Sequence, residues 1–434
     1  FFLYYLRYWA PNYSNSKITT IKLERMCSMD LGSRSFYEKI CGYSICIAFF
    51  SILISTSIVN ISILLVVFFG LSLIVKDKQF INIFIRNKIN LSLVILLSFL
   101  FLSSFYTIAT YDETISILKK YVKLLYIPVC YYVLQVKWIK NKSINYFITG
   151  CSIILLLSYL KNFNIIDPTT YSEIARFLGF NYESKLLGGV TIFQHSIIHG
   201  VVMSFYFYIT FIKARKEHNS YYYLLSFLGF YNIFFMNISR TGYIITSLLI
   251  MVIFINFYKN NKYKKNLIFL LVLSLSIIMG NKSIIIERLD NSVQDLTFIT
   301  NNYYKTSFGL RYIYAQNGIE SMILKPIFGH GVGSYKKTIK NYFDKNNIDM
   351  ENYISQNPHN EFISILTQIG LFGLFLFLSF FYFLIKDLYH CENGKAVIII
   401  VIISCLFNSL FYDNVMGIFA VLIIGFAMQR KKIS

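Results

Sequence analysis

Arg240 lies in NISRTGYI, between two hydrophobic runs at 221–238 and 241–258. A guanidinium at that depth is expensive unless it meets an anion or faces water. Acidic residues are almost absent from the apolar runs, which weakens the competing reading of a carboxylate partner on another helix. The planar fork of arginine suits phosphate oxygens, which it can hold in pairs. Arg311 opens a helix-like stretch in TSFGLRYIYAQNG, close to a helix start whose free N–H groups also favour anions. Alone, Arg311 reads as a solvated loop residue. Beside Arg240 it reads as the second jaw of a pyrophosphate clamp.

His359, in QNPHNEFISILTQIGLFG, occupies the last polar turn before a long apolar run. Pro358 suits a first helical turn, so the spacing predicts a helix starting there. The positive helix end and the arginines would keep the imidazole neutral. A neutral imidazole can take a proton from a sugar hydroxyl. The plainer reading is a histidine that only caps its turn, and the residues alone leave the two open.

Other patterns carry less chemistry. His195 and His199 (QHSIIH) have i,i+4 spacing, but no Glu lies between them and no third ligand is evident. They read as polar lining rather than a metal site. Gly329, Gly331 and Gly333 in GHGVGSYKK are expected to make a turn. The Lys after the last Gly that a phosphate-binding loop requires is missing, as is the last Gly of a dinucleotide fingerprint. Asp349 and Glu351 form a lone acidic pair, weak support for a metal–sugar-nucleotide site. The seven cysteines show no C-x-x-C pair and no metal spacing. No metal and no cofactor are expected.

These residues have to be positioned by elements that the composition identifies. The 434 residues are 56% hydrophobic and only 14% charged, where a soluble domain carries about a quarter charged residues. Apolar runs of membrane length recur from 43 to 429, which excludes an ordinary soluble enzyme. The expected fold is an all-α polytopic membrane protein with about 12 transmembrane helices. The candidate spans are 43–58, 60–76, 90–109, 121–136, 145–160, 194–212, 221–238, 241–258, 266–281, 361–385, 396–412 and 414–429. The first two are read as a hairpin broken near Asn60.

The net charge of +20 would suggest nucleic acid on a soluble protein. Here it follows from the enrichment of Lys and Arg in cytoplasmic loops, and nucleic acid is not an expected partner. With the N-terminus in the cytoplasm, 25 of the 41 Lys and Arg fall in cytoplasmic segments. Nine of the rest lie in the single long segment 282–360, whose length exempts it from the rule. Both termini are then cytoplasmic. The expected organisation is a cytoplasmic segment 1–42 (with Met26 or Met29 as a candidate start), nine spans over 43–281 with an outer segment 161–193, a partly helical outer loop 282–360, three spans over 361–429, and a tail 430–434. A helix is predicted over 309–324, stopped by Pro326. Lys119, Lys120 and Lys123 break the charge bias at an outer junction and are candidates for anion binding or, more simply, for reaching lipid phosphates.

SRTGYI at 239–244, RYIYAQNGIESMILKPIFGHGVGSY at 311–335 and PHNEFISILTQIGLFG at 358–373 together resemble the O-antigen ligase family, which includes O-antigen polymerases and bacterial O-linked oligosaccharyltransferases. The likeness extends to the layout, with about twelve spans and one long periplasmic loop late in the chain. It implies an inverting, metal-independent glycosyltransferase of the bacterial inner membrane with a periplasmic active site. Its donor would be a glycan on undecaprenyl pyrophosphate. Its acceptor would be a lipid A-core hydroxyl in a ligase, a second lipid-linked glycan in a polymerase, or a protein hydroxyl. The resemblance gives Arg240 and Arg311 the pyrophosphate and His359 the acceptor hydroxyl. Asn360 and Glu361 would complete the histidine motif, and His195 matches more loosely. A transporter of the same lipid is the alternative from another class.

Overall fold

The computed structural model describes residues 36–77, 87–165, 191–258 and 304–428, apart from 238 and 392, with a few isolated positions between. The expected span 266–281, most of the outer segment 161–193 and the first part of the outer loop lie outside the described residues, as do both termini.

The described elements are helices: α1 Phe36–Ser51, α2 Thr56–Lys76, α3 Lys88–Leu102, α4 Tyr111–Val122, α5 Tyr126–Leu134, α6 Lys137–Asn162, α7 Ser196–Glu217, α8 Ser220–Tyr231, α9 Arg240–Tyr258, α10 Ser307–Leu324, α11 Tyr335–Lys345, α12 Glu361–Leu388, α13 Gly394–Phe407 and α14 Asn414–Ala427. Among the described residues, five are long and apolar enough to cross a membrane: α2, α3 with its following turn, α6, α7 and α12. The shorter α9, α13 and α14 are also apolar. This is an all-α membrane protein. Helices satisfy their own backbone hydrogen bonds, which is what permits them to replace water with lipid.

Burial sorts the helices into layers. The most apolar window of α7 is 83% buried and that of α2 only 28%, so α7 runs through the centre and α2 along the outside. α7 packs on α8 and α9, and α1 packs on α2 and α6. The contact between α7 and α9 depends on small residues. A Cβ added to Gly242 would stand 3.0 Å from Cα of Gly200, and Ser204 Oγ donates to the Gly242 carbonyl at 3.3 Å. Without a hydrophobic drive between helices in lipid, close backbone approach and interhelical hydrogen bonds provide the adhesion.

Three boundaries differ from the sequence reading. The first hairpin breaks at Ile52–Ser55, not near Asn60, which lies inside α2. Ser55 caps α2 by accepting from the Ile58 amide at 3.4 Å, and serine is among the favoured residues at a helix start. The run expected to span at 121–136 is divided into the end of α4, a tight turn and the nine-residue α5. α4 itself is amphipathic and starts with a capping box between Thr110 and Glu113. Within this region Lys123 is buried and donates to the Asp413 carbonyl at 2.5 Å, and the Lys120 ammonium sits 3.3 Å from the Tyr412 ring centre. Both are engaged by protein rather than reaching toward lipid phosphate. Finally, the helix after Pro358 begins at Glu361, with Asn360 as its cap.

The segment 304–360 has its own small core of Ile313, Tyr314, Tyr335, Ile339, Phe343 and Met350. The helix expected at 309–324 is α10, which packs along the start of α12. Below that contact α12 is interrupted at Ile369 and Gly370. The freed carbonyls are taken by the glycine-rich loop: His330 N–H donates to Thr367 O at 3.1 Å and Gly331 N–H to Gln368 O at 2.8 Å. In return, Leu371 N–H donates to Pro326 O and Phe372 N–H to Ile327 O. The loop also reaches α3, since Val332 N–H donates to Ser103 Oγ at 3.1 Å and Thr107 Oγ1 to Val332 O at 2.7 Å. The expected turn is thus a backbone plug that closes a broken helix.

Candidate functional site

α7 begins with His195, whose Nδ1 accepts from the Ile197 amide at 3.4 Å. In that arrangement a neutral His195 carries its proton on Nε2. Beside it, α9 begins with Ser239 accepting from the Gly242 amide at 3.2 Å, which places Arg240 in the first turn. The two helix starts are tied through Asn237. Its side-chain amide donates to Ser196 O at 3.1 Å, and its carbonyl accepts from Tyr243 OH at 2.5 Å. Upstream, Asn232–Met236 forms a π-helical turn that returns to Asn237, whose N–H donates to Asn232 O at 2.9 Å. The Asn232 side chain joins buried His199 at 2.8 Å and donates to Ser158 Oγ at 2.9 Å. His199 is therefore part of a buried support network. His195 and Arg240 are exposed.

Arg311 projects from the second turn of α10, whose start is capped by Thr306 accepting from the Gly309 amide at 3.0 Å. Three residues further, on the same face, Tyr314 lies with its ring centre 6.5 Å from that of His359. Tyr314 is held there by donating to Tyr353 O at 2.9 Å.

His359 occupies a tight Asx turn, with its N–H donating to Asn357 Oδ1 at 2.9 Å. Its φ is +54°, a left-handed conformation uncommon outside glycine but several-fold enriched for histidine. The turn ends at Asn360, which accepts from the Ile363 amide at 3.0 Å and donates to Leu406 O at 2.8 Å. Glu361 is fully buried, accepting from Tyr121 OH and from the Phe411 amide at 3.0 Å. Both neighbours of His359 thus spend their hydrogen bonds on fixing the turn to α4, α13 and the loop before α14. Among the described residues the imidazole nitrogens of His359 carry no hydrogen bond.

Electrostatics join these elements into one site. The pKa of Arg311 is lowered, first by burial and then by the charge of Arg240. The pKa of His359 is lowered by burial, then by Arg311, then by His195. Arg311 thus lies near enough to feel the charge of Arg240, and His359 near enough to feel Arg311 and His195, from α9, α10, the turn before α12 and the start of α7. Among the described residues no carboxylate lies within ion-pairing distance of Arg240. An incoming anion relieves the repulsion between neighbouring cationic groups. Asp349 and Glu351 flank Met350 of the loop's small core, and among the described residues no group of three His, Cys, Asp or Glu side chains is arranged to hold a metal ion.

Asn237, Asn357 and Tyr314 were not singled out from the sequence. The Asn–Pro pair at 357–358 is a turn-initiating signal, and Tyr314 follows Arg311 at helical spacing. Nothing in the sequence marks Asn237 apart from its nearness to Arg240.

A multi-pass helical membrane protein with an arginine–imidazole cluster at one end of its bundle is the class that this fold and site define. Residues 224–378 match the family model described as O-antigen ligase. It runs from α8 through Arg240, Arg311 and His359 to a point just beyond the break at Gly370. The family points to a glycosyltransferase-type enzyme with lipid-linked glycan substrates. No curated protein matches the chain.

Proposed function

We propose that the protein is an O-antigen ligase, transferring a polysaccharide from undecaprenyl pyrophosphate to a lipid A-core hydroxyl at the periplasmic face of the bacterial inner membrane. The observation that carries this reading is the meeting of Arg240, Arg311 and His359 at one end of the bundle. In the proposed step, His359 takes the proton of the acceptor hydroxyl, and the hydroxyl oxygen attacks the anomeric carbon from the face opposite the leaving group. The carbon–oxygen bond to the carrier breaks, and its electron pair remains on the pyrophosphate. Arg240 and Arg311 stabilise the charge that develops there, which is commonly the largest catalytic contribution. Pyrophosphate is a good leaving group, so no proton donor is needed at that oxygen. Configuration at the anomeric carbon is inverted.

Low proton affinity at His359 fits a base that must be unprotonated before its substrate arrives. A lipid-borne donor also explains a site at helix ends, where the carrier's tail can stay in the bilayer.

Reconstitution of the full chain with an undecaprenyl-pyrophosphate-linked glycan tests the proposal. Lipid A-core, a second lipid-linked glycan and an acceptor protein are offered in parallel. Transfer to the core is the expected result. Growth of the lipid-linked chain instead would make the protein a polymerase, and transfer to protein an oligosaccharyltransferase. Movement of the intact carrier across the membrane without transfer would make it a transporter.

A further inference from the structure

At the end of α7 remote from His195, a cavity of about 420 Å³ opens between α6, α7 and α14. Some 20 residues of helix separate it from the candidate site, about 30 Å at the helical rise. Lys140, Lys213 and Lys216 line it, against the single carboxylate of Glu217. Its remaining wall is apolar, with Ile144, Ile209, Ile212 and Phe426. A second cavity of about 300 Å³ shares Asn145 and Lys213 with the first. It follows α6 toward the bundle's middle past Ile148, Ile153 and Leu156, with Tyr221 and Tyr222 of α8 on its other side.

The two cavities form one amphipathic track. From Lys140 to Leu156 the lining on α6 covers about 24 Å of helix, a substantial part of a bilayer's hydrocarbon depth of about 30 Å. Lys213 stands at the junction. Its ammonium donates to Asn145 Oδ1 at 2.5 Å, lies 3.7 Å from Glu217 and sits 4.4 Å from the Tyr222 ring centre. Lys140 lies over Phe426, 4.9 Å from the ring centre. Both ammonium groups thus rest against aromatic rings of the wall.

We propose that this track binds one anionic phospholipid, with its phosphate at Lys140, Lys213 and Lys216 and an acyl chain along Ile148, Ile153 and Leu156. Charge complementarity selects the headgroup, and the length of the apolar groove selects a chain-bearing ligand over a free anion. The loop charges assign this end of the bundle to the cytoplasm, where the leaflet surface is negative and each nearby basic residue attracts it. The proposal stands independently of the transfer reaction at the other end.

The test uses the full chain in neutral detergent, titrated with phosphatidylglycerol, phosphatidylcholine or inorganic phosphate, with bound lipid counted by native mass spectrometry and unfolding temperature followed in parallel. Phosphatidylglycerol should be retained as one molecule per chain and raise the unfolding temperature. Lys216→Gln should weaken retention about fivefold, and replacement of all three lysines roughly a hundredfold. Ile153→Trp, which fills the groove and leaves the charges alone, should weaken it as well. Equal retention of phosphatidylcholine would overturn the headgroup assignment. Stabilisation by inorganic phosphate alone, unaffected by Ile153→Trp, would overturn the lipid in favour of a soluble anion. Unchanged phosphatidylglycerol binding in the triple-glutamine variant, or in Lys216→Gln should the triple variant not fold, would overturn the site.

Discussion

Arg311 is depressed in proton affinity by its own burial and then by the guanidinium of Arg240, although the two stand on different helices and are separated by residues 241–310. An anion entering between them gains from both charges and removes their mutual penalty.

Replacing His359 with alanine should lower transfer by about 10²–10⁴-fold, the usual contribution of a positioned base. The protein should still insert and elute as wild type, because the ring of His359 supports no hydrogen bond among the described residues. Transfer from the lipid-linked donor, measured beside a size-exclusion profile, decides it. Full activity would return His359 to a turn residue.

Arg240→Lys retains the positive charge and loses the two-pronged donor. We expect a fall in kcat of about 10²–10³-fold, comparable with the loss of an oxyanion-stabilising donor. Arg311→Ala should lower the rate similarly. If Arg311→Ala were silent, the clamp would reduce to Arg240 alone.

The pH profile has a definite sign. In the proposed mechanism His359 is the neutral base, and burial, Arg311 and His195 all lower its pKa. Activity should therefore persist below the ordinary histidine value of about 6.5 and fall only at more acid pH. Removing the Arg311 charge with Arg311→Gln lifts one of the lowering effects, so the acid limb of residual kcat/KM should move upward. An acid limb that moves down, or stays in place, would exclude Arg311 as a neighbour of the base.

Gly331 sits at φ +90°, and a Cβ there would stand 2.2 Å from Cα of Thr107. Gly331→Ala should cost about 1–3 kcal/mol in backbone strain before the clash is counted. The expected outcome is a lower unfolding temperature and reduced yield of inserted protein. Gly329 and Gly333, also at positive φ, would show the same trend.

The chemistry was more legible than the architecture. Arg240 and His359 stand out because charge and imidazole are rare at the ends of apolar runs, and rarity survives without a structure. Helix limits were harder to read, since hydropathy does not change across Ile52–Ser55 or between α4 and α5 while the backbone does. The glycines of GHGVG announced a turn, but its role depends on the carbonyls released at Thr367 and Gln368, 37 residues after their partners, and no local pattern records that pairing. Asn360 and Glu361 illustrate the reverse case. Adjacency to His359 suggested contact with its ring, while an extended Asn360 turns both side chains toward other helices.

The interruption at Gly370 divides α12 mechanically. Its upper portion, carrying the His359 turn, is stitched to the glycine loop and packed on α10, so imidazole and Arg311 ride on a common platform. Arg240 belongs to a different block, anchored through α9 to the central α7. The two blocks are joined by α13, which packs on both α9 and α12 and accepts the Asn360 hydrogen bond at Leu406. α13 is thus the keel that sets the spacing between Arg240 and the imidazole.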